Sequence, residues 1–218
     1  QILAVRYNIF MAKNLVLEFP VKNPIISQEF GFDNTIHPLR KEFYAPFNNK
    51  HPGVDFRLPI NSDIYSSYPG IVVRKEFHKG MGNVVGTRNG NIVILYAHLS
   101  KILVNLGQIL NTDESIGLSG DTGTACNEPH LHFEIRDITK VNLKEMVFDP
   151  PFGKIIKQFK DSFTYQVNNT NTPKSLQFLS IRYFGNESYW HKIAKVNNLK
   201  INSTKVISNN TEVIIPNF

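Results

Sequence analysis

Short apolar runs separated by Gly, Pro and Asn dominate the chain from residue 16 to about residue 148, where stretches of helical period are few. Such a pattern is typical of antiparallel β-structure. The clearest unit is a predicted hairpin, in which residues 84–88 and 91–95 flank the dipeptide Asn89-Gly90. This dipeptide tolerates the positive φ angles of a tight two-residue turn. The pattern therefore predicts a mainly β fold for this part of the chain.

The hydrophobic pattern changes after Pro150-Pro151-Phe152-Gly153, a run that marks a domain boundary. Beyond it, residues 165–167 and 212–216 are predicted to be strands. Between them, apolar residues recur at helical offsets in two sets, namely Leu176, Leu179 and Tyr183, and then Trp190, Ile193 and Ala194. Each set lies on one face of a helix. The tail is therefore predicted to have the element order β-α-α-β.

Composition narrows the class of protein. The chain has 218 residues, of which 41% are hydrophobic and 19% charged, and this excludes a disordered or collagen-like protein. No apolar stretch approaches the roughly 18 to 20 residues of a membrane-spanning helix, so we expect no membrane insertion. A single cysteine, Cys126, excludes an internal disulfide and a cysteine-based zinc site. Any metal must therefore be bound by His, Asp or Glu.

The net charge of +6 lies entirely in the last third of the chain. Residues 1–152 carry 15 basic and 15 acidic side chains, whereas residues 153–218 carry 9 basic and 3 acidic ones. A basic tail is either a solubilising surface or a surface for an anionic partner, such as a bacterial wall or a nucleic acid. Because the basic residues are not interleaved with aromatic ones, we expect no nucleic-acid partner.

The most informative phrase runs from His130 to Arg136 and reads His-Leu-His-Phe-Glu-Ile-Arg. On a β-strand, His130, His132, Glu134 and Arg136 share one face, and the apolar residues between them share the other. Two imidazoles thus lie side by side opposite the core. Imidazole is the commonest metal ligand in proteins, although a solvated polar face is the alternative reading.

Two further phrases add candidate ligands. His51 and Asp55 flank a short Pro-Gly turn and are able to converge on one cation, although a hydrogen-bonded turn is the alternative. His98 ends the predicted strand 92–99, where alternation places it on the same face as Tyr96. A lone histidine there is usually structural, but its combination with the other phrases favours a catalytic constellation.

In this order, His51-x-x-x-Asp55, Tyr96-Ala97-His98-Leu99 and His130-Leu131-His132-Phe133-Glu134 resemble the lysostaphin/LytM-type zinc endopeptidases, which cut peptide cross-links of bacterial peptidoglycan. The resemblance runs from about residue 24 to residue 150. It implies an antiparallel β-sheet metallopeptidase domain that uses zinc as its cofactor.

The resemblance also implies roles for five residues. His51, Asp55 and His132 are the implied zinc ligands, which leave one position open for water or a substrate carbonyl. His98 and His130 are the implied catalytic pair, which act as general base and stabilise the developing oxyanion. Neighbouring loop residues, Cys126 and Glu128 among them, are expected to have no chemical role.

The tail resembles a LysM module, a family with the order β-α-α-β that usually binds N-acetylglucosamine-containing glycans. Residues 168–174 replace the Gly-Asp-Thr that usually follows the first strand. Two alternatives stay open: the tail anchors the enzyme to peptidoglycan, or it docks onto phage baseplate or tail proteins. The predicted domains are an N-terminal segment 1–23, the peptidase domain 24–152, a linker 153–163 and a LysM-like domain 164–218.

These observations predict a zinc-dependent endopeptidase that acts at the bacterial cell wall. The apolar run at residues 2–5 is too short for a signal peptide, and Met11 reads as a natural start, so a virion-associated enzyme and a secreted or periplasmic one are both open. The competing hypothesis is a catalytically silent or blocked binding protein, such as a phage baseplate component, that retains the fold. Because all five site positions are filled, the sequence favours activity.

Overall fold

A computed structural model of the chain describes residues 15–32, 42–153, 155–159, 162–167, 174–184 and 187–216. Some predictions lie outside these residues. They concern the segment 1–14 with the start at Met11, His37, the loop 168–173 and the turn at Gly185-Asn186.

Antiparallel β-sheet makes up most of the first part of the chain. Seven strands form the main sheet, in the spatial order β1 (Ile26–Gln28), β2 (Val54–Arg57), β10 (His130–Asp137), β6 (Ile92–Leu99), β5 (Gly82–Asn89), β4 (Gly70–His78) and β8 (Ile109–Leu110). A smaller sheet has the order β3 (Asp63–Tyr65), β9 (Ser115–Leu118) and β7 (Lys101–Ile102). Neighbouring strands pair antiparallel, so the predicted mainly β, antiparallel fold is confirmed.

The predicted hairpin is the β5–β6 pair, but its turn lies one residue later than expected. Asn89 pairs with Ile92, so the two-residue loop is Gly90-Asn91. Gly90 has a φ angle of 57°. A positive φ at the first loop residue is what a type II′ turn requires, and glycine adopts it without steric cost.

The core lies on one face of the main sheet. Leu131, Phe133 and Ile135 alternate along β10 and are fully buried, and the ring of Tyr96 meets Phe133 edge-on at 5.3 Å between centroids. Phe19, ahead of β1, stacks on Phe152 at 4.8 Å and so joins the same core. The opposite face of β10 is left for the polar side chains.

The tail follows a short helix, α1 (Leu143–Met146), and contains a three-stranded sheet in the order β11 (Ile155–Phe159), β12 (Ser162–Gln166) and β13 (Glu212–Pro216). Two helices, α2 (Leu176–Phe184) and α3 (Trp190–Val196), connect β12 to β13. The strand-helix-helix-strand order is the one that the apolar spacing predicts. Strand β11 precedes it and lies in the segment predicted to be a linker. Asn197 connects α3 to β13 through hydrogen bonds with both backbone groups of Ile214.

A buried charge cluster joins the tail to the segment that precedes β1. The Lys174 Nζ lies 2.8 Å from the Glu18 Oε1, and the Tyr165 hydroxyl lies 3.1 and 3.2 Å from the two carboxylate oxygens of Glu18. Lys174 is fully buried and Glu18 nearly so.

Among the described residues, none of the helices has the length and apolar character that crossing a membrane requires.

Candidate active site and metal centre

Three predicted ligands converge on the polar face of the main sheet. Asp55 on β2 lies directly opposite His132 on β10, and the turn before β2 brings His51 beside them. The Asp55 Oδ1 is 2.9 Å from His132 Nδ1 and 3.1 Å from His51 Nε2, and the two ring nitrogens are 3.1 Å apart. The turn needs Gly53, because a Cβ there would overlap the carbonyl oxygen of Phe133. We refer to these three residues as the His-Asp-His group.

Outer hydrogen bonds fix the orientation of both imidazoles in the His-Asp-His group. The His51 Nδ1 donates to the Glu29 carbonyl oxygen at 3.0 Å, which leaves the lone pair of Nε2 facing the group. The His132 Nε2 lies 3.4 Å from a carboxylate oxygen of Glu134, so in the neutral ring Nε2 carries the proton and Nδ1 keeps its lone pair for the group. Glu134 in turn accepts a hydrogen bond from the Arg136 Nε. Carboxylate or carbonyl partners of this kind orient histidine ligands in metal sites.

The two other predicted histidines form a pair beside this group. The rings of His98 and His130 have centroids 4.6 Å apart, and the His130 Nε2 is 3.7 Å from the Asp55 Oδ1. Each Nδ1 is 2.7 Å from a carbonyl oxygen, that of Thr122 for His98 and that of Glu128 for His130. A carbonyl only accepts, so both Nδ1 atoms carry a proton, and Nε2 is the nitrogen that keeps a lone pair when the ring is neutral.

His98 reaches the pair by a route that strand alternation does not predict. Tyr96 faces the core and Ala97, opposite His132, faces the polar side, so strict alternation would turn His98 into the core. The β5–β6 register shifts between Asn83 and Val85, and His98 has a φ angle of 61°. This bulge and the left-handed backbone turn His98 to the polar face. The prediction that it shares the face of Tyr96 was therefore wrong.

Burial and neighbouring charges shift the pKa values of the site. Burial, followed by the nearby His130 and His132, lowers the pKa of His98 to about 3, so its ring is neutral at neutral pH. Burial would raise the pKa of Asp55, but His51 and His132 hold it well below the usual value. Burial lowers the pKa of His132, but its bonds to Asp55 and Glu134 outweigh burial and raise the pKa to about 9. The site therefore has a strong preference for positive charge.

The donor set of the His-Asp-His group fits zinc. Zinc accepts imidazole nitrogen and carboxylate oxygen at about 2.0 to 2.2 Å, and a tetrahedral ion holds its ligands about 3.3 Å apart. The three ligand atoms already lie within 3.1 Å of one another and belong to buried residues. Three protein ligands would leave a fourth position for water or a carbonyl oxygen, as catalytic zinc sites do.

Some contributions to the site could not be found from residue types. The carbonyl groups of Thr122 and Glu128 act through the backbone, so no side-chain pattern indicates them. Cys126, predicted to be a plain loop residue, has its Sγ 3.4 Å from the His130 Nδ1, and His98, Cys126 and His130 have ligand atoms within 4.8 Å of one another. Its sulfur also lies 3.1 Å from the Glu128 carbonyl oxygen, so it packs behind the pair.

Comparison with known proteins agrees with this geometry. Residues 49–147 match the sequence model described as Peptidase family M23. The chain is 44% identical over 101 residues to the peptidoglycan DD-endopeptidase ShyA of Vibrio cholerae, a match that covers 46% of this chain and 22% of the relative. It is 32% identical over 99 residues to the glycyl-glycine endopeptidase ALE-1 of Staphylococcus capitis, covering 42% of this chain and 27% of that protein.

A solved structure extends the comparison to the fold. It is described as a zinc containing peptidase from Vibrio cholerae and aligns with a TM-score of 0.50 at 28% identity, over 63% of this chain and 40% of that one. The chain thus spans between 22% and 40% of the length of these three proteins. The zinc prediction is confirmed by the family and by the fit of the donor set. Residues 49–147, which include all five converging side chains, are thus the part of the chain that matches Peptidase family M23.

Proposed function

We propose that this chain is a zinc-dependent endopeptidase that hydrolyses peptide cross-links of bacterial peptidoglycan. One observation carries the proposal: a buried His-Asp-His group lies beside a second pair of buried histidines whose rings are held by backbone carbonyl groups. Zinc held by His51, Asp55 and His132 would polarise the scissile carbonyl and supply a nucleophilic water at neutral pH. The names of the relatives, a peptidoglycan DD-endopeptidase and a glycyl-glycine endopeptidase, support peptide bonds as the substrate.

The protein's own residues then move protons and orient the substrate. A carbonyl oxygen accepts the Nδ1 proton of His98 and of His130, so Nε2 of a neutral ring at either position is the atom that accepts a proton from the attacking water. The protonated ring can then donate to the leaving amine or stabilise the developing oxyanion. The fixed carbonyl partners, Thr122 and Glu128, hold both rings in place throughout. The competing hypothesis of a silent binding protein gives no reason for this orientation of both rings.

The decisive experiment measures zinc content together with the release of new amino groups from purified peptidoglycan. We expect about one zinc ion per chain and cleavage for the wild type. His130→Ala should keep zinc and lose cleavage. His191→Ala, which replaces an exposed histidine on α3, is the matched control and should retain both. Zinc without cleavage in the wild type, on walls of several cross-link types, would support the silent binding protein instead.

For the tail, we propose a LysM-like domain that binds the glycan strands of the wall. The order β12-α2-α3-β13 and its resemblance to the LysM family support this role. Tethering to glycan would raise the local concentration of the catalytic domain near its cross-links. We expect the full chain to bind soluble N-acetylglucosamine oligomers in calorimetry, and His132→Ala to bind them equally well. If neither binds while both sediment with a protein partner, the docking role replaces the glycan role.

The sequence also predicts that the protein is either carried on a phage tail, as part of the virion, or located in the periplasm or outside the cell. These locations stay predictions. Measuring the protein in purified virions and in the culture medium would distinguish them.

A further inference from the structure

A cleft of about 260 Å³ opens beside the His-Asp-His group. Strands β1 and β2, the loop before β10 and the start of β10 line it, and Asp55, Arg57 and His130 are among the lining residues. Asp55 and His130 belong to both the cleft and the candidate active site. A peptide bound at the reacting centre would therefore continue into this cleft.

The strand register determines where Arg57 points. Arg57 on β2 lies directly opposite His130 on β10, and Asp55 lies directly opposite His132. Side chains of directly opposed residues share one face of the sheet, so Arg57 stands on the polar face beside His130. Two residues along a strand span about 6.7 Å, which is the distance from Asp55 to Arg57 along the sheet. This distance is within the reach of an arginine side chain.

Arg57 differs from Arg136 and Arg74 in its partners. Arg136 forms an ion pair with Glu134, and Arg74 forms one with Glu76. Within the described ranges, no carboxylate forms an ion pair with Arg57, and the residue is exposed. A guanidinium group is charged at any working pH and offers paired donors that match a carboxylate. Here it is exposed beside the reacting centre.

We propose that Arg57 binds a carboxylate that the substrate carries next to its scissile amide. This inference rests on the proposed function and names its substrate class. The class comprises direct cross-links in which the amine comes from a diamino acid with a free carboxylate on the adjacent carbon. An uncharged glycine bridge has no such group at that position. Arg57 is thus a specificity-determining residue, whereas the five residues of the candidate active site would act on either kind of bond.

Two cross-linked peptide dimers test the assignment. One has the free carboxylate beside the scissile nitrogen, and the other has a carboxamide in its place. We expect the wild type to prefer the carboxylate dimer by about 10- to 100-fold in kcat/KM, as a charge-assisted hydrogen bond allows. Arg57→Gln should lose this preference, fall by the same factor on the carboxylate dimer, and change little on the carboxamide. Its zinc content should not change.

The matched control is Arg88→Gln on β5, whose guanidinium bonds the Gly90 carbonyl, and it should keep the preference. Equal losses on both dimers, or a preference that survives in Arg57→Gln, would overturn the inference. Dissociation constants measured in a His98→Ala background separate the two proposals. Suppose that the His98→Ala variant binds the carboxylate dimer more tightly than the carboxamide dimer, and that Arg57→Gln removes this difference. If the wild type then cuts neither dimer, the proposed function fails and the inference stands. Equal dissociation constants overturn the inference even where cleavage occurs.

Discussion

Two clusters of buried polar side chains differ in how their charges are balanced. In the His-Asp-His group, two inward-facing ring nitrogens, which carry lone pairs when the imidazoles are neutral, lie within 3.1 Å of one another and of a carboxylate oxygen. In the buried charge cluster, the carboxylate of Glu18 meets the Lys174 ammonium at 2.8 Å and the Tyr165 hydroxyl at 3.1 Å. With neutral imidazoles, acceptors face acceptors in the first cluster, whereas donors face acceptors in the second.

This difference separates a binding site from a structural contact. Converging acceptors in a buried place repel one another unless a cation lies between them, so the His-Asp-His group is built for a positive charge. The raised pKa of His132, about 9, reports the same preference, because a proton on that ring also supplies positive charge to the group. The buried charge cluster already contains its cation and needs no ligand. Burial of charge alone therefore does not indicate function, whereas the balance of donors and acceptors does.

Removing a ligand of the first cluster should have the greatest effect on function. His132→Ala should abolish both zinc retention and cleavage, because two remaining ligands hold zinc weakly. Metal analysis after gel filtration and an amino-group release assay measure both. Tyr165→Phe serves as the control from the second cluster and should keep zinc. Full zinc occupancy in His132→Ala would show that the group is not the metal site.

Changing the histidine pair should affect turnover and spare the metal. His98→Ala should lower kcat by about 10²- to 10⁴-fold, the range that general acid-base catalysis contributes. Its zinc content should equal that of the wild type, because His98 lies outside the His-Asp-His group. Steady-state kinetics on a soluble cross-linked peptide give the ratio of the wild-type kcat to that of His98→Ala. If His98→Ala lost as much zinc as His132→Ala, His98 would be a zinc ligand, which would contradict its proposed role in proton transfer.

The second cluster predicts an effect on stability. Lys174→Ala should cost about 3 to 5 kcal/mol in the free energy of unfolding, because it leaves the Glu18 carboxylate buried without a cation. Urea denaturation measures this, and zinc content should not change. The double variant Glu18→Gln with Lys174→Met removes both charges and should cost clearly less. A double variant as unstable as the single one would mean that packing, and not charge balance, stabilises this contact.

Weakening a hydrogen bond that orients a ligand of the first cluster should have a smaller effect than removing the ligand itself. Glu134→Gln weakens the acceptor that orients His132 and should lower zinc affinity by about 10- to 100-fold, as removal of such partners typically does. Competition with a zinc-binding dye measures the affinity. Glu76→Gln, on β4 and paired with Arg74, changes an exposed carboxylate and should leave the affinity unaltered. An unchanged affinity in Glu134→Gln would limit its role to packing.

The smallest effect concerns the hydroxyl of the second cluster. Tyr165→Phe removes one hydrogen bond to Glu18 while Lys174 still neutralises the carboxylate, so about 1 kcal/mol of stability should be lost. Denaturation in urea again gives the value, with Tyr68→Phe as a control outside the cluster. A loss as large as that of Lys174→Ala would show that the hydroxyl is as important as the charge.

Much of the fold and of the site follows from local patterns. Alternation along residues 130–136 correctly separates a core face from a polar face, since the period of a strand is two. The spacing of Leu176, Leu179 and Tyr183 predicts α2 for the analogous reason. The exceptions arise where the backbone leaves its regular geometry. A bulge and a positive φ turn His98 to the polar face, and no alternation rule indicates them.

Local patterns in the sequence suffice to predict the mainly β fold, the order of elements in the tail and the residue types able to bind zinc, because each depends on neighbours within a few positions. Tertiary structure alone decided which groups meet. It placed Arg57 beside His130, gave His98 and His130 their carbonyl partners, and joined Glu18 to Lys174. These contacts connect segments far apart in the chain, and strand register and packing set them. Local hydrophobic spacing encodes neither the strand register nor the packing.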